Sequence, residues 1–243
     1  MEISFIFITI ILIASILQTS TGFGFSIMAT PFLLMIFLPN EAIQINIILS
    51  LLISIALISK IRQDIDFILL KRLIIGSIFG VPLGILFFIS MNTNILKVLI
   101  GLIILFLTIL LILNFRIKST RIRDFITGGI SGSLTSSIGM PGPPLLLYFT
   151  GINTKKESLR ATILAFYLFI YFISLISQII FIGTNKIIWQ YSFYAIPIVF
   201  IGLFIGQIIF KWFNQKTFRI FTYILLLCTS ATLLVEVIYN YKI

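Results

Sequence analysis

Between Ile3 and Leu38 the chain carries no charged residue, and its main polar interruption is Gln18-Thr19-Ser20-Thr21-Gly22-Phe23-Gly24-Phe25. About half a chain later a second interruption of the same kind runs Ser131-Gly132-Ser133-Leu134-Thr135-Ser136-Ser137-Ile138-Gly139-Met140-Pro141-Gly142-Pro143-Pro144. Stretches this apolar restrict the chain to a lipid environment. There every backbone N–H and C=O must be paired within the protein, which leaves helices or a closed barrel. Runs such as Ile100 to Leu113 do not alternate polar with apolar, as barrel strands do. The composition agrees: 60% of the residues are hydrophobic and 10% charged, against about a quarter charged in soluble domains. Mean hydropathy is +1.21.

Six segments are long enough to cross a bilayer, roughly 42–59, 73–90, 95–113, 161–182, 190–210 and 220–239. A crossing takes about 20 helical residues. Two regions differ. Region 3–38 is broken at 18–24, and its arms, 3–17 and 25–38, are each short of a full crossing. Region 125–150 has still shorter arms around 135–143. Each is either one broken crossing or a hairpin that returns to its own side, and loop charge separates the two. If both return, Lys60, Arg62, Lys71, Arg72, Arg116, Lys118, Arg121, Arg123, Lys155, Lys156, Arg160, Lys211, Lys216 and Arg219 share one side, leaving Lys97, Lys186 and Lys242 opposite, 14 against 3. Single crossings would give 10 against 7. The positive-inside rule selects the hairpins and puts the basic loops in the cytoplasm. The net charge of +10 is thereby a matter of topology and does not point to nucleic acid.

The expected fold is an all-α polytopic membrane protein of two inverted repeats, each a broken or re-entrant helical hairpin plus three transmembrane helices. It forms a single membrane domain over 1–243, with halves 1–115 and 124–243 and a basic linker 116–123. Because three crossings follow each hairpin, the second half enters the membrane inverted. The start Met1-Glu2-Ile3-Ser4-Phe5 lacks a basic n-region and a cleavage site, so it is expected to be retained.

Unwound backbone at membrane depth is tolerated where it is buried in protein or lines a cavity. Gly22, Gly24, Gly139 and Gly142 permit turns and close approach of a ligand. Pro141, Pro143 and Pro144 stop a helix from running through. A helix starting after each break would aim N–H groups inward, as an anion requires, with hydroxyl donors beside it. Small residues also let helices pack closely. That simpler role is expected for Gly202 and Gly206, which offer a face for a homo-oligomer, and for Gly76, Gly80 and Gly84. Asn46, Ser50 and Ser54 share one helix face, as do Tyr167, Tyr171, Ser174 and Gln178. The candidate substrate-binding residues are Gln18, Thr19, Ser20, Thr21, Gly22, Phe23 and Gly24 from the first break. Thr135, Ser136, Ser137, Gly139, Met140, Pro141 and Gly142 come from the second, and Asn46, Tyr171 and Gln178 from the spans.

Of the seven acids only Glu236 lies within an expected span, and no base lies at a span centre. The site is expected to be neutral, suited to an anion held by dipoles and hydroxyls. There is no His, one Cys (Cys228) and no Gly-x-x-x-x-Gly-Lys-[Ser/Thr] loop. These exclude a His-based metal site, an intrachain disulfide and a P-loop ATPase. No cofactor is called for, and a Ser20 or Ser136 nucleophile would lack a base.

Gln18 to Pro31 (QTSTGFGFSIMATP) and Gly129 to Leu145 (GISGSLTSSIGMPGPPL) resemble the paired glycine-rich signatures of the TauE/SafE sulfite-exporter family, also called the toluene-sulfonate uptake permease family. The length, the two halves and Arg160-Ala161-Thr162 at the start of a span fit as well. The resemblance implies a cell-membrane transporter of sulfite, sulfonates, thiosulfate or related anions. An interior-negative potential worth about 2.3 kcal/mol per charge per 100 mV drives an anion outward, so export is the expected direction. An anion channel and a non-transporting scaffold are the alternatives on the same fold.

Overall fold

The structure, a computed structural model, describes residues 2–90, 120–152 and 154–212, with isolated residues in 95–113 and 224–235. The expected spans 95–113 and 220–239, the linker residues 116–119 and Glu236 therefore fall outside its continuous described segments. Eight α-helices run through those segments: α1 (Glu2–Thr21), α2 (Phe25–Ile36), α3 (Pro39–Ile61), α4 (Phe67–Ser90), α5 (Arg121–Ile138), α6 (Gly142–Gly151), α7 (Lys156–Phe181) and α8 (Lys186–Trp212). Four of them, α3, α4, α7 and α8, are long and apolar enough to cross a membrane.

Polar groups set where these helices begin. Asp66 Oδ1 accepts from Leu69 N at 3.0 Å to open α4. Thr120 Oγ1 accepts from Arg123 N at 3.4 Å to open α5, and Asn185 Oδ1 from Ile188 N at 3.1 Å to open α8. Each cap satisfies a donor that the first turn leaves unpaired.

Both broken regions fold back on themselves. The Phe7 ring, near the start of α1, lies 5.9 Å from that of Phe37, just beyond α2, at a T-shaped angle. The Tyr148 hydroxyl, late in α6, is hydrogen-bonded to Asp124 at the start of α5. In each region the second arm lies back against the first.

α3 and α7 form the middle. In their most apolar stretches 61% and 50% of residues are buried, against 39% in α4 and 28% in α8. The two run antiparallel. Gln44 Nε2 donates to Gly183 O at 2.8 Å at one end, and Asp66 N donates to Thr162 Oγ1 at 3.0 Å at the other. The outer faces of α4 and α8 expose Phe79, Leu83, Phe193 and Phe204, as lipid-facing surfaces do.

Glycines bring the remaining helices into backbone contact. α4 packs along α5: a Cβ on Gly76, Gly80 or Gly84 would meet Phe125 O, Gly129 O or Ser133 O at 2.1, 2.0 and 2.1 Å. α1 packs along α8, where a Cβ on Gly202 would meet Ser15 Cβ at 2.4 Å and one on Gly206 would meet Thr19 Cβ at 2.6 Å. Close packing is thus the role of these glycines. Gly202 and Gly206 are occupied within the chain and leave no open face there for a second copy.

Candidate functional site

The breaks are shorter than the sequence suggested. α1 continues through Gln18, Thr19, Ser20 and Thr21, leaving Gly22, Phe23 and Gly24 between helices; α5 continues through Thr135, Ser136 and Ser137, leaving Gly139, Met140 and Pro141. The hydroxyls stay helical because they bond back to their own helix. Ser20 Oγ donates to Ile16 O at 2.8 Å, Thr135 Oγ1 to Ser131 O at 2.6 Å and Ser137 Oγ to Ser133 O at 2.7 Å. Ser136 Oγ reaches α4 at Val81 O, 2.9 Å away. Thr21 Oγ1 lies among Leu17 O, Phe23 N and Phe23 O. Thr19 Oγ1 is the exception, buried and unpaired.

Two left-handed glycines end these helices. Gly22 has φ +86° and Gly139 φ +71°, conformations costly for any residue with a Cβ. Gly22 N donates to Gln18 O at 2.8 Å, and Gly139 N to Thr135 O at 2.8 Å. Phe23 and Met140 are buried core side chains. Pro141 is buried too, and Gly142 begins α6.

The two breaks pack toward opposite ends of the α3–α7 pair. A Cβ on Gly22 would lie 2.9 Å from Arg160 Cα, and Arg160 is the fifth residue of α7. A Cβ on Gly139 would lie 2.7 Å from Asn46 Nδ2 and 3.4 Å from Ile43 Cγ2, and Ile43 is the fifth residue of α3. Each hairpin tip therefore rests on the span that follows the other hairpin, at the same place along it.

Between the tips lies a polar seam. The Tyr167 and Tyr171 rings stand 5.0 Å apart. The Tyr171 hydroxyl faces Ser26 of α2 and Ser50 of α3, and a Cβ on Gly142 would come within 3.0 Å of the Tyr167 hydroxyl. Three amides clamp the surrounding backbone. Gln18 Nε2 donates to Ser50 O at 2.9 Å, Asn46 Nδ2 to Gly139 O at 2.8 Å and Gln178 Nε2 to Ser136 O at 2.8 Å. Their oxygens and the Tyr167 hydroxyl remain unpaired, while the Ser26, Ser50 and Tyr171 hydroxyls face one another without a hydrogen bond of good geometry, and all seven residues are fully buried.

An unpaired buried polar group costs about 1–3 kcal/mol. Buried polar groups are ordinarily paired with protein, water or ligand. Each amide commits one N–H to a backbone carbonyl, so the donors on offer are the four hydroxyls and the second N–H groups of Asn46 and Gln178.

Two acids are buried outside the seam. Asp124 is fully buried and pairs with Arg72 at 2.9 Å. Glu41, 4% exposed, accepts from Leu38 N at 3.2 Å and Asn185 Nδ2 at 2.6 Å. Both act at helix ends and not in the seam. Arg160 is buried beside the first break. Counting it as a loop charge hid it, although the helical run already includes Arg160-Ala161-Thr162. Ser26 is not among the residues the sequence singles out; its signal is its place two residues after Gly24, with only Phe25 between them.

Apolar helices long enough to cross a bilayer, packed around a buried polar seam, define a multi-pass helical membrane protein. The family model for the sulfite exporter TauE/SafE matches residues 7–233, nearly the whole chain, and the chain belongs to that family. The family is one of membrane transporters, not enzymes. No curated protein and no solved structure matches the chain.

Proposed function

We propose that the chain is a secondary transporter or facilitator of a small sulfur-containing anion of the sulfite, sulfonate or thiosulfate class, working outward across the cell membrane. The observation that carries this is the seam of unpaired hydroxyls between the two hairpin tips. Ser26, Ser50, Tyr167 and Tyr171 supply neutral donors that an oxyanion accepts from, without a fixed charge among them to hold it too tightly for release. The candidate residues at the breaks then serve chiefly to shape and anchor the seam.

The packing supports an inverted repeat. α1 lies on α8 and α5 on α4, while α3 lies on α7. Exchanging the halves, α1–α4 for α5–α8, maps this set of contacts onto itself, as does the crosswise seating of Gly22 and Gly139. Rocking one half against the other around a fixed midplane site is the motion such repeats support. Lys60, Arg72, Arg123, Lys156 and Lys211 gather at the end where Lys60 Nζ donates to Gln207 Oε1 at 3.1 Å and Arg72 meets Asp124. The positive-inside rule makes that end cytoplasmic.

Counterflow tests the reading. Proteoliposomes loaded with unlabelled sulfite are diluted into labelled sulfite, thiosulfate, taurine or sulfate at zero membrane potential. Trans-stimulated uptake of a sulfur oxyanion is the expected result. Flux without trans-stimulation would indicate a channel. No flux from correctly folded protein would refute transport of this class.

A further inference from the structure

Arg160 is 7% exposed and sits within α7, not in the loop before it. Its stem lies against the first break, where a Cβ on Gly22 would come within 3.0 Å of its Cγ. Its Cζ is held 4.1 Å from the centroid of the Phe210 ring of α8. The neighbouring cations have partners: Arg72 has Asp124 at 2.9 Å, and Lys156 has Glu157 at 3.8 Å. Arg160 has no carboxylate within ion-pair distance among the described residues. Its Nε and Nη2 are both buried and unpaired.

Those two nitrogens share one edge of the guanidinium, and their N–H bonds run parallel. That edge matches two oxygens carried by one central atom, the fork geometry of a bidentate oxyanion contact. A buried cation with such an edge open is expensive unless something anionic completes it.

We propose that Arg160 recognises the transported anion at the basic end of the protein, gripping two of its oxygens through Nε and Nη2 before it passes to the seam of hydroxyls. This rests on the transport reading above and adds to it a specific demand: the ligand is an oxyanion with geminal oxygens, such as sulfite or a sulfonate. A halide can accept from both N–H groups only at one centre, with converging and poorer geometry than two oxygens offer. Phe210 fixes the guanidinium plane from one side, and the bare Gly22 leaves room for the stem. A phospholipid phosphate offers the same two oxygens and is separated from a soluble anion by the test.

The full chain is reconstituted in phosphatidylcholine nanodiscs, and saturable binding of labelled sulfite is measured at constant ionic strength for wild type, Arg160→Lys, Arg160→Gln and Phe210→Leu. Arg160→Gln is expected to abolish saturable binding. Arg160→Lys, which keeps the charge and loses the fork, is expected to weaken it at least about tenfold. Phe210→Leu should fall between wild type and Arg160→Lys, and methanesulfonate should compete more strongly than chloride at equal concentration. Should Arg160→Gln fail to fold, the lysine and Phe210 variants decide. Binding to Arg160→Gln or Arg160→Lys within twofold of wild type would overturn the assignment and leave the transport reading standing. Absence of wild-type binding to sulfite, methanesulfonate and thiosulfate alike would overturn both. Loss of wild-type sulfite binding in phosphatidylglycerol nanodiscs, with a lipid-dependent rise in Tm absent from Arg160→Gln, would assign the guanidinium to a lipid phosphate.

Discussion

Replacing Gly139 with alanine should do more damage than one methyl group usually does, and most of that damage should pass through Asn46. Gly139 has φ +71°, where an L-residue costs about 1–2 kcal/mol. The new Cβ would lie 2.7 Å from Asn46 Nδ2, the atom that donates to Gly139 O at 2.8 Å. The amide must move, and the bond goes with it. Asn46 Oδ1 is already unpaired, so the displaced side chain would be left with no partner at either end, at about 1–3 kcal/mol. The single variant should therefore lose about 2–5 kcal/mol. In an Asn46→Ala background neither the clash nor the bond exists, and only the backbone strain of about 1–2 kcal/mol remains. Reversible unfolding in mixed micelles of wild type, both single variants and the double variant measures the coupling. A coupling of about 1–3 kcal/mol is expected. Strict additivity would refute the contact that seats the second hairpin on α3.

Three further outcomes follow from the packing. Gly80→Leu places a side chain where even a Cβ would be 2.0 Å from Gly129 O, and separating α4 from α5 should cost about 3 kcal/mol or more; size-exclusion chromatography should show little monodisperse protein. Arg72→Gln removes the cation from fully buried Asp124. Because Arg72 is 27% exposed, the loss should fall near the low side of the range for a broken buried pair, about 2–3 kcal/mol, and Asp124→Asn in the same chain should recover part of it in thermal denaturation. Tyr171→Phe deletes a buried hydroxyl with no hydrogen-bond partner of good geometry, so stability should hold or rise while KM for the transported anion increases severalfold. A drop in Tm with KM unchanged would make Tyr171 structural.

The four described spans were legible because long apolar runs force helix, yet each begins earlier than its apolar run. α3 starts at Pro39 and α4 at Phe67, where the apolar pattern suggests 42 and 73. α3 opens on Pro39-Asn40-Glu41, outside its apolar run, while α4 opens on residues 67–70, which Lys71 and Arg72 set apart from the longer run that follows. The hairpins were legible through charge: basic residues separated by whole helices gather at one end only if both regions turn back. The extent of the breaks was not legible. Ser and Thr read as helix breakers, but in apolar surroundings Ser20, Thr135 and Ser137 bond the carbonyls of their own helix and extend it to the glycine. The seam was legible in part: helical spacing already groups Ser50 with Asn46 and Tyr167 with Tyr171, whereas Ser26 joins them only when α2 is brought against α3 and α7. Arg160 was hidden by its place near a loop; burial, which sequence does not display, is what distinguishes it from its basic neighbours.

The location of the anion can be observed with selenite, an isostere of sulfite whose selenium scatters anomalously. Crystals of the unlabelled full chain, grown in lipid and soaked in selenite, should show a selenium peak between the two hairpin tips, its oxygens in hydrogen-bonding contact with Ser26, Ser50 or Tyr171. A protein that exchanges sulfite but places selenium only outside the space bounded by α1, α2, α3 and α7 would contradict the account.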